Sequence, residues 1–253
     1  MSKSGRMDNP NLHIGTSGWD YKPWRGVFYP AKLVTIPLAF YSQSFATVEI
    51  NSSFYHLPTR QTVESWGKSV PSGFIFAVKV SRLITHLKKL KNVEKEAGQL
   101  LEHFGFLGRK LGPFLFQLPP YWKSDAERLR IFLGGLPTQQ RYVFEFRHPS
   151  WYNIKIYRIL EKYQAALCIH DHRDGASPQR LTTDLAYVRL HGPQGQYQGK
   201  YTEANLLAWA EKISGWMKDK IKVYAYFNND QNGFAVENAN RLSQLTKKQT
   251  VKP

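Results

Sequence analysis

Residues 142–147 read Tyr-Val-Phe-Glu-Phe-Arg, and the alternation in this stretch decides the fold. In a strand, successive side chains point to opposite faces, so Tyr142, Phe144 and Phe146 share one face while Val143, Glu145 and Arg147 share the other. A face of three rings needs a covering layer, and a face that ends in an acid and an arginine needs an enclosed polar mouth. Seven other short apolar runs end in the same way: HIGT from His13, TVEIN from Thr47, FIFAVKV from Phe74, FLFQL from Phe114, ALCIH from Ala166, YVRLH from Tyr187 and VYAYFN from Val223. By the same alternation Glu49 pairs in direction with Asn51, Ala77 with Lys79, Leu115 with Gln117, Cys168 with His170, Arg189 with His191, and Tyr226 with Asn228.

Helical signals fill the gaps between these runs. Thr59 is placed to cap a helix through TRQTVESWGKSV, and Ser124 with Glu127 has the spacing of a capping box. SWYNIKIYRILEKYQ, TEANLLAWAEKISGWMKDK and FAVENANRLSQLTKK repeat apolar residues at three and four. Strands alternating with helices predict an α/β fold, an eight-stranded parallel barrel of the TIM type. A doubly wound open sheet is the alternative, but GTSGW after the first run lacks the glycine spacing of a dinucleotide fingerprint. The expected division is a tail over residues 1–11, a single barrel over 12–245 and a basic tail over 246–253 containing Lys247, Lys248 and Lys252. At 253 residues the chain has the usual size of one such barrel.

Composition narrows the function classes. The 35 basic residues exceed the 19 acidic ones by 16, enough to attract a nucleic acid or an anionic small molecule. Part of this excess lies in RLITHLKKLKNVEKE, with Arg82, His86, Lys88, Lys89, Lys91 and Lys95, either a solvated helix face or a phosphate-contacting patch. The single cysteine, Cys168, sits in an apolar run and is expected to pack as a small hydrophobe, which excludes disulfides and a cysteine metal cage. Without a secretory leader or an apolar run of about 18 residues, the chain is expected to be cytoplasmic and to have no membrane partner.

IGTSGWDYKPWRGVFYP, VEINSSFY, FAVKVSR, LFQLPP, EFRHPSW, YVRLHGP with QGQYQGKY, and YFNNDQNGFAVENA occur in that order from about Leu12 to Leu242. Together they closely resemble the YecE-like family of domains of unknown function. The resemblance implies a TIM-type barrel and an intracellular setting, and it carries no settled activity. The barrel is similar in architecture to apurinic-site endonuclease and xylose-isomerase barrels, a likeness of fold that warrants no shared reaction.

In a TIM-type barrel the catalytic groups project from the carboxyl ends of the strands. Glu145, His170 and His191 are the candidate acids and bases, because an imidazole titrates near neutrality and a crowded carboxylate can be shifted toward it. Lys79, Arg147 and Arg189 outnumber the inward carboxylates Glu49 and Glu145, an excess that an anionic ligand would balance. The alternative is that Glu49 and Glu145 neutralise the arginines in a network that closes the barrel. Ser17, Trp19, Asn51, Tyr55 and Gln117 complete the expected substrate contacts on the early strands, and Tyr197, Lys200, Asn228 and Asp230 on the last two loops. Glycines 192, 195 and 199 permit close backbone approach, Tyr201 is a second ring placed to close over a ligand, and a helix start near Phe234 offers free N–H groups. Ser17 is expected to act as a turn hydroxyl, since no nucleophile elbow surrounds it. Trp24, Phe28 and Tyr29 are expected to form a hydrophobic lid rather than a stacking platform.

These features predict an enzyme acting on a phosphorylated or otherwise anionic substrate, most concretely phosphoester hydrolysis of a nucleic acid or nucleotide. A metal-assisted sugar or sugar-phosphate isomerase or epimerase is the second expectation, with a divalent metal held by Glu49, Glu145, His170 and His191. No cofactor is required by the sequence. A non-catalytic nucleic-acid-binding module is the third.

Overall fold

The computed structural model describes residues 9–32, 37–172, 175–195 and 197–250. Eight parallel strands, β1 (Leu12–Thr16), β2 (Thr47–Ile50), β3 (Ile75–Lys79), β4 (Leu111–Gln117), β5 (Tyr142–Glu145), β6 (Ala166–His170), β7 (Leu185–Leu190) and β8 (Lys222–Phe227), form a sheet in the order β1-β8-β7-β6-β5-β4-β3-β2. Its two ends meet where Ser17 bridges to Glu49 in parallel and Gly18 N donates to the Glu49 carbonyl at 2.8 Å. The fold is therefore the expected TIM-type barrel. Closure depends on Gly15, because a Cβ there would lie 2.4 Å from the Thr47 carbonyl oxygen.

Helices α1 (Pro37–Tyr41), α2 (Arg60–Lys68), α3 (Glu94–Gly105), α4 (Ala126–Gly134), α5 (Ile154–Lys162), α6 (Glu203–Lys218) and α7 (Phe234–Thr250) lie between and after the strands. Among the described residues no helix separates β6 from β7. Thr59 caps α2 as predicted, accepting from Thr62 N. The capping box expected at Ser124 is not formed: Asp125 caps α4 by accepting from Arg128 N, while Ser124 N donates to Ser150 Oγ. An aspartate one residue further on supplies the acceptor at the actual helix start. Helix α7 runs through the residues expected as a basic tail as far as Thr250 and buries Thr246. Residues 1–8 and 251–253 of the two expected tails, with Lys252, lie outside the described residues.

Two apolar layers follow the predicted alternation. Ala77, Leu115, Val143, Ala166, Cys168, Leu185, Tyr187, Tyr224 and Tyr226 fill the barrel, and Phe114, Phe116, Phe144, Phe146 and Leu167 pack outward beneath the helices. Cys168 is buried and unpaired, as expected. Phe28 packs edge-on against Trp24, Tyr29, Phe40 and Tyr41, so the three rings expected as a lid lie in one hydrophobic cluster. No helix among the described residues is long and apolar enough to cross a membrane.

Candidate active site at the barrel mouth

The strands bring Glu49, Glu145 and Arg189 to the centre of the mouth, each at most 1% exposed. Arg189 donates from Nε to Glu49 Oε2 at 3.0 Å, from Nη2 to Glu49 Oε1 at 2.8 Å and Ser17 Oγ at 3.1 Å, and from Nη1 to Glu145 Oε2 at 2.8 Å. Its fork is committed to two carboxylates. Tyr187, two residues earlier on the same face, donates to Glu49 Oε2 at 2.7 Å. Ser17 donates to Glu49 and accepts from Asn51 Nδ2 at 2.7 Å, so its hydroxyl is held inside the network.

Arg147 completes the cluster. Its Nε donates to Glu145 Oε1 at 2.5 Å, its Nη2 also pairs with Glu145, and the same Nη2 donates to His191 Nε2 at 3.2 Å. Burial raises the Glu145 carboxyl, but Arg147 and Arg189 outweigh it and hold the group well below the usual carboxylate range. Glu145 therefore remains an ionised anchor at neutral pH. His191 is held well below the usual imidazole range by burial and Arg189. A guanidinium can only donate, so His191 accepts from Arg147 at Nε2, and its Nδ1 lies 3.2 Å from Asn228 Nδ2. His191 N donates to Asp171 Oδ1 at 2.7 Å, and Tyr201 also donates to that carboxylate.

His170 turns toward backbone. Its Nε2 lies 2.9 Å from the Phe146 carbonyl and 3.0 Å from the Tyr152 hydroxyl, and His172 N donates to its Nδ1 at 3.3 Å. Nε2 thus ties the end of β6 to the segment after β5, and Nδ1 holds the start of the loop that follows β6.

The arginines and carboxylates balance, and Lys79 is left over. It is half-buried at the end of β3, with Nζ 4.2 Å from the centre of the Phe54 ring and no ion pair among the described residues. Burial and then Arg189 push its ammonium down to about 7, against the pull of Glu145 and Glu49. Gln117 ends β4 between Lys79 and Arg147, so an ammonium, an amide and a guanidinium occupy consecutive strand ends. Nη1 of Arg147 has no hydrogen bond among the described residues.

At the ends of β1 and β2, Gly18, Trp19, Tyr21 and Asn51, with Trp66 of α2, line a cleft of about 380 Å³. Asn51 Oδ1 at this cleft and Asp230 Oδ1 after β8 are buried without hydrogen-bond partners among the described residues. Burial pushes Asp230 up to about 7, opposed by the neighbouring Tyr21 hydroxyl and Arg189. Tyr197 lies over His191 with ring centres 5.7 Å apart, whereas Tyr55 is 63% exposed at the rim. Two of the predicted loop contacts face elsewhere. Lys200 is exposed and paired with Glu237, and Tyr201 is buried, its hydroxyl accepting from Gly192 N at 2.8 Å while donating to Asp171.

Tyr187 was not among the expected site residues, although its place two residues before Arg189 on the same strand face is a signal that could have found it. Asp171 follows His170 directly, but its role rests on a backbone amide that sequence does not reveal. His86 was assigned to the basic surface segment; it instead faces Phe54 at 5.0 Å and is pushed down to about 4 by burial and Lys79. A helical turn of π type, Leu83–Leu87, carries it inward. In that segment Lys88 pairs with Glu96, and Lys89 Nζ lies 5.4 Å from the Tyr121 ring centre. Among the described residues, no three His, Cys, Asp or Glu side chains gather in a group suited to a metal ion.

The chain is 26% identical to the UPF0759 protein YunF of Bacillus subtilis, over 92% of this chain and 94% of that one. It is 27% identical to the UPF0759 protein YecE of Escherichia coli K12 over 56% of this chain and 50% of that one. Among solved structures, a family protein from Thermotoga maritima superposes with a TM-score of 0.77 at 27% identity, over 93% of this chain and 98% of that one. One from Enterococcus faecalis superposes with a TM-score of 0.78 at 21% identity, over 93% and 95%. The model of the family described as "Protein of unknown function DUF72" matches residues 13–253, and the chain belongs to that family.

Proposed function

We propose that this chain is an enzyme acting on a small anionic substrate, in its most concrete form a phosphorylated one, at the mouth of the barrel. The observation that carries this reading is Lys79. Arg147 and Arg189 are offset by Glu49 and Glu145, whereas Lys79 is half-buried beside them without an ion-pair partner among the described residues. An incoming anion would favour the protonated form of this amine, whose proton is otherwise loosely held at about 7, and the free edge of Arg147 with Gln117 supplies directed donors. Phosphoester hydrolysis of a nucleotide or nucleic acid is one reaction this hold would serve, with His191 taking a proton from water once its Nε2 is freed from Arg147. The metal-assisted isomerase has no ligand group to favour it among the described residues.

Inorganic phosphate, titrated while thermal unfolding is followed, tests the site. Binding to the folded chain raises the apparent melting temperature. Lys79→Met is expected to abolish the rise, and Lys200→Met to leave it intact because Lys200 is already paired with Glu237. The reverse pattern would place the anion on the late loops and refute the assignment. Release of nitrophenol from bis(p-nitrophenyl) phosphate, lost in His191→Ala, tests the hydrolytic form.

A further inference from the structure

Ser17, Cys168 and Lys79 are candidate nucleophiles at or below the mouth, and the first two are spent. The Ser17 hydroxyl donates to Glu49 and accepts from Asn51 and Arg189. The Cys168 thiol is buried below the mouth and pushed well above its ordinary range by burial and Glu145, which keeps it protonated. Lys79 is different. Its backbone is fixed, with Ser53 Oγ donating to its carbonyl at 2.6 Å, while its amine rests on the Phe54 face rather than on a carboxylate.

We propose that Lys79 is a carbonyl-reactive lysine that forms an imine with a small aldehyde or ketone carrying an anionic group. This deepens the function proposed above by naming the substrate class, and it rests on that reading for the anion at Arg147 and Gln117. The charged groups facing Lys79 come from every side of the mouth: Arg189 from β7, Glu145 and Arg147 from the end of β5, and Glu49 from β2, with His86 from the turn after β3. The carboxylates among them are already held by the arginines, so they do not bind the ammonium, and a desolvated amine beside like charges is readily freed of its proton. With the amine pushed down to about 7, a large share of it is uncharged at neutral pH, whereas an ordinary surface lysine is almost wholly protonated.

The chemistry closes without an added oxidant or reductant. The amine lone pair attacks the carbonyl carbon, a C–N bond forms, and the carbonyl π pair moves to oxygen. That oxygen takes up the proton that nitrogen gives up, giving a carbinolamine. The nitrogen lone pair then forms the C=N bond as the hydroxyl leaves with the second nitrogen proton as water, and the imine, on taking a proton from solvent, draws electrons from the adjacent carbon. The arrangement is thereby suited to proton abstraction or carbon–carbon cleavage next to the former carbonyl.

The test exposes the full chain separately to dihydroxyacetone phosphate, pyruvate and uncharged dihydroxyacetone, with sodium cyanoborohydride present to fix any imine. Adducts are then located by intact mass and peptide mapping. The expected result is one stable adduct on Lys79, formed at least about tenfold faster than on any surface lysine, as the difference in free amine requires. Its rate should rise with pH and level off above about 7, whereas labelling of surface lysines keeps rising. Lys79→Arg keeps the charge and should lose the adduct while retaining the phosphate-induced rise in melting temperature. Adducts spread over surface lysines, or unchanged in Lys79→Arg, overturn the proposal. Phosphate stabilisation with no Lys79 adduct refutes the imine and leaves the anion reading standing. A Lys79 adduct that forms equally with uncharged dihydroxyacetone, without phosphate stabilisation, supports the nucleophile and refutes the anion reading.

Discussion

Arg189→Met is predicted to be among the most damaging single changes at the mouth, and the structure gives the size of the effect. The substitution removes four hydrogen bonds, two to Glu49 and one each to Glu145 and Ser17, from residues almost without solvent exposure. Arg147 remains to offset Glu145, so the deficit falls on Glu49, whose remaining donors, Ser17 and Tyr187, are neutral. Removing one member of a buried ion pair costs about 3–5 kcal/mol, because the charge left behind keeps its desolvation penalty. For a chain of this length that corresponds to a melting temperature lower by roughly 6–20 °C. Thermal unfolding followed by far-UV circular dichroism measures it. The decisive comparison is Glu49→Gln/Arg189→Met, which takes out both charges and leaves the Glu145–Arg147 pair balanced; it should recover at least half of the loss. A single variant melting within about 2 °C of the parent, or a double variant no better than the single, would refute the network as the element that closes the mouth.

Two further outcomes follow from the geometry. Gly15→Ala drives a Cβ to 2.4 Å from the Thr47 carbonyl and should cost about 1–3 kcal/mol through strain at the β1–β2 closure. Gly73→Ala, with nothing within 4 Å, is the urea-unfolding control; equal midpoints for the two would contradict the closure. Lys79 is pushed down to about 7 from 10.5, so between those values the unfolded chain holds a proton that the folded chain has released. The contribution of this group to stability therefore rises with pH across that interval and is lowest below pH 7. Lys79→Met should flatten the rise, and an identical pH profile would show that the amine is not desolvated.

The eight strands, their inward and outward faces and the address of the mouth were legible in the sequence, because alternation is imposed locally by the pleat and each polar pair falls at the end of its own run. Glu145 with Arg147 and Tyr187 with Arg189 are two residues apart, so their shared face needs no long-range information. The helix start at Thr59 is equally local, whereas Ser124 shows the limit: Asp125, an acceptor one residue along, took its place. What each group does at the mouth was decided only by the tertiary structure. Arg189 and Lys79 both read as inward cations, yet Glu49, 140 residues away along the chain, commits Arg189 to a carboxylate, while Phe54 gives Lys79 an aromatic face. His86, part of a basic run, was turned inward by a helical turn, and Lys200, expected over the ligand, was paired on the surface with Glu237. Sequence spacing fixes the face from which a side chain leaves its strand. The charge it carries and the work open to it depend on desolvation and on partners supplied by other strands, and those are settled only when the barrel closes.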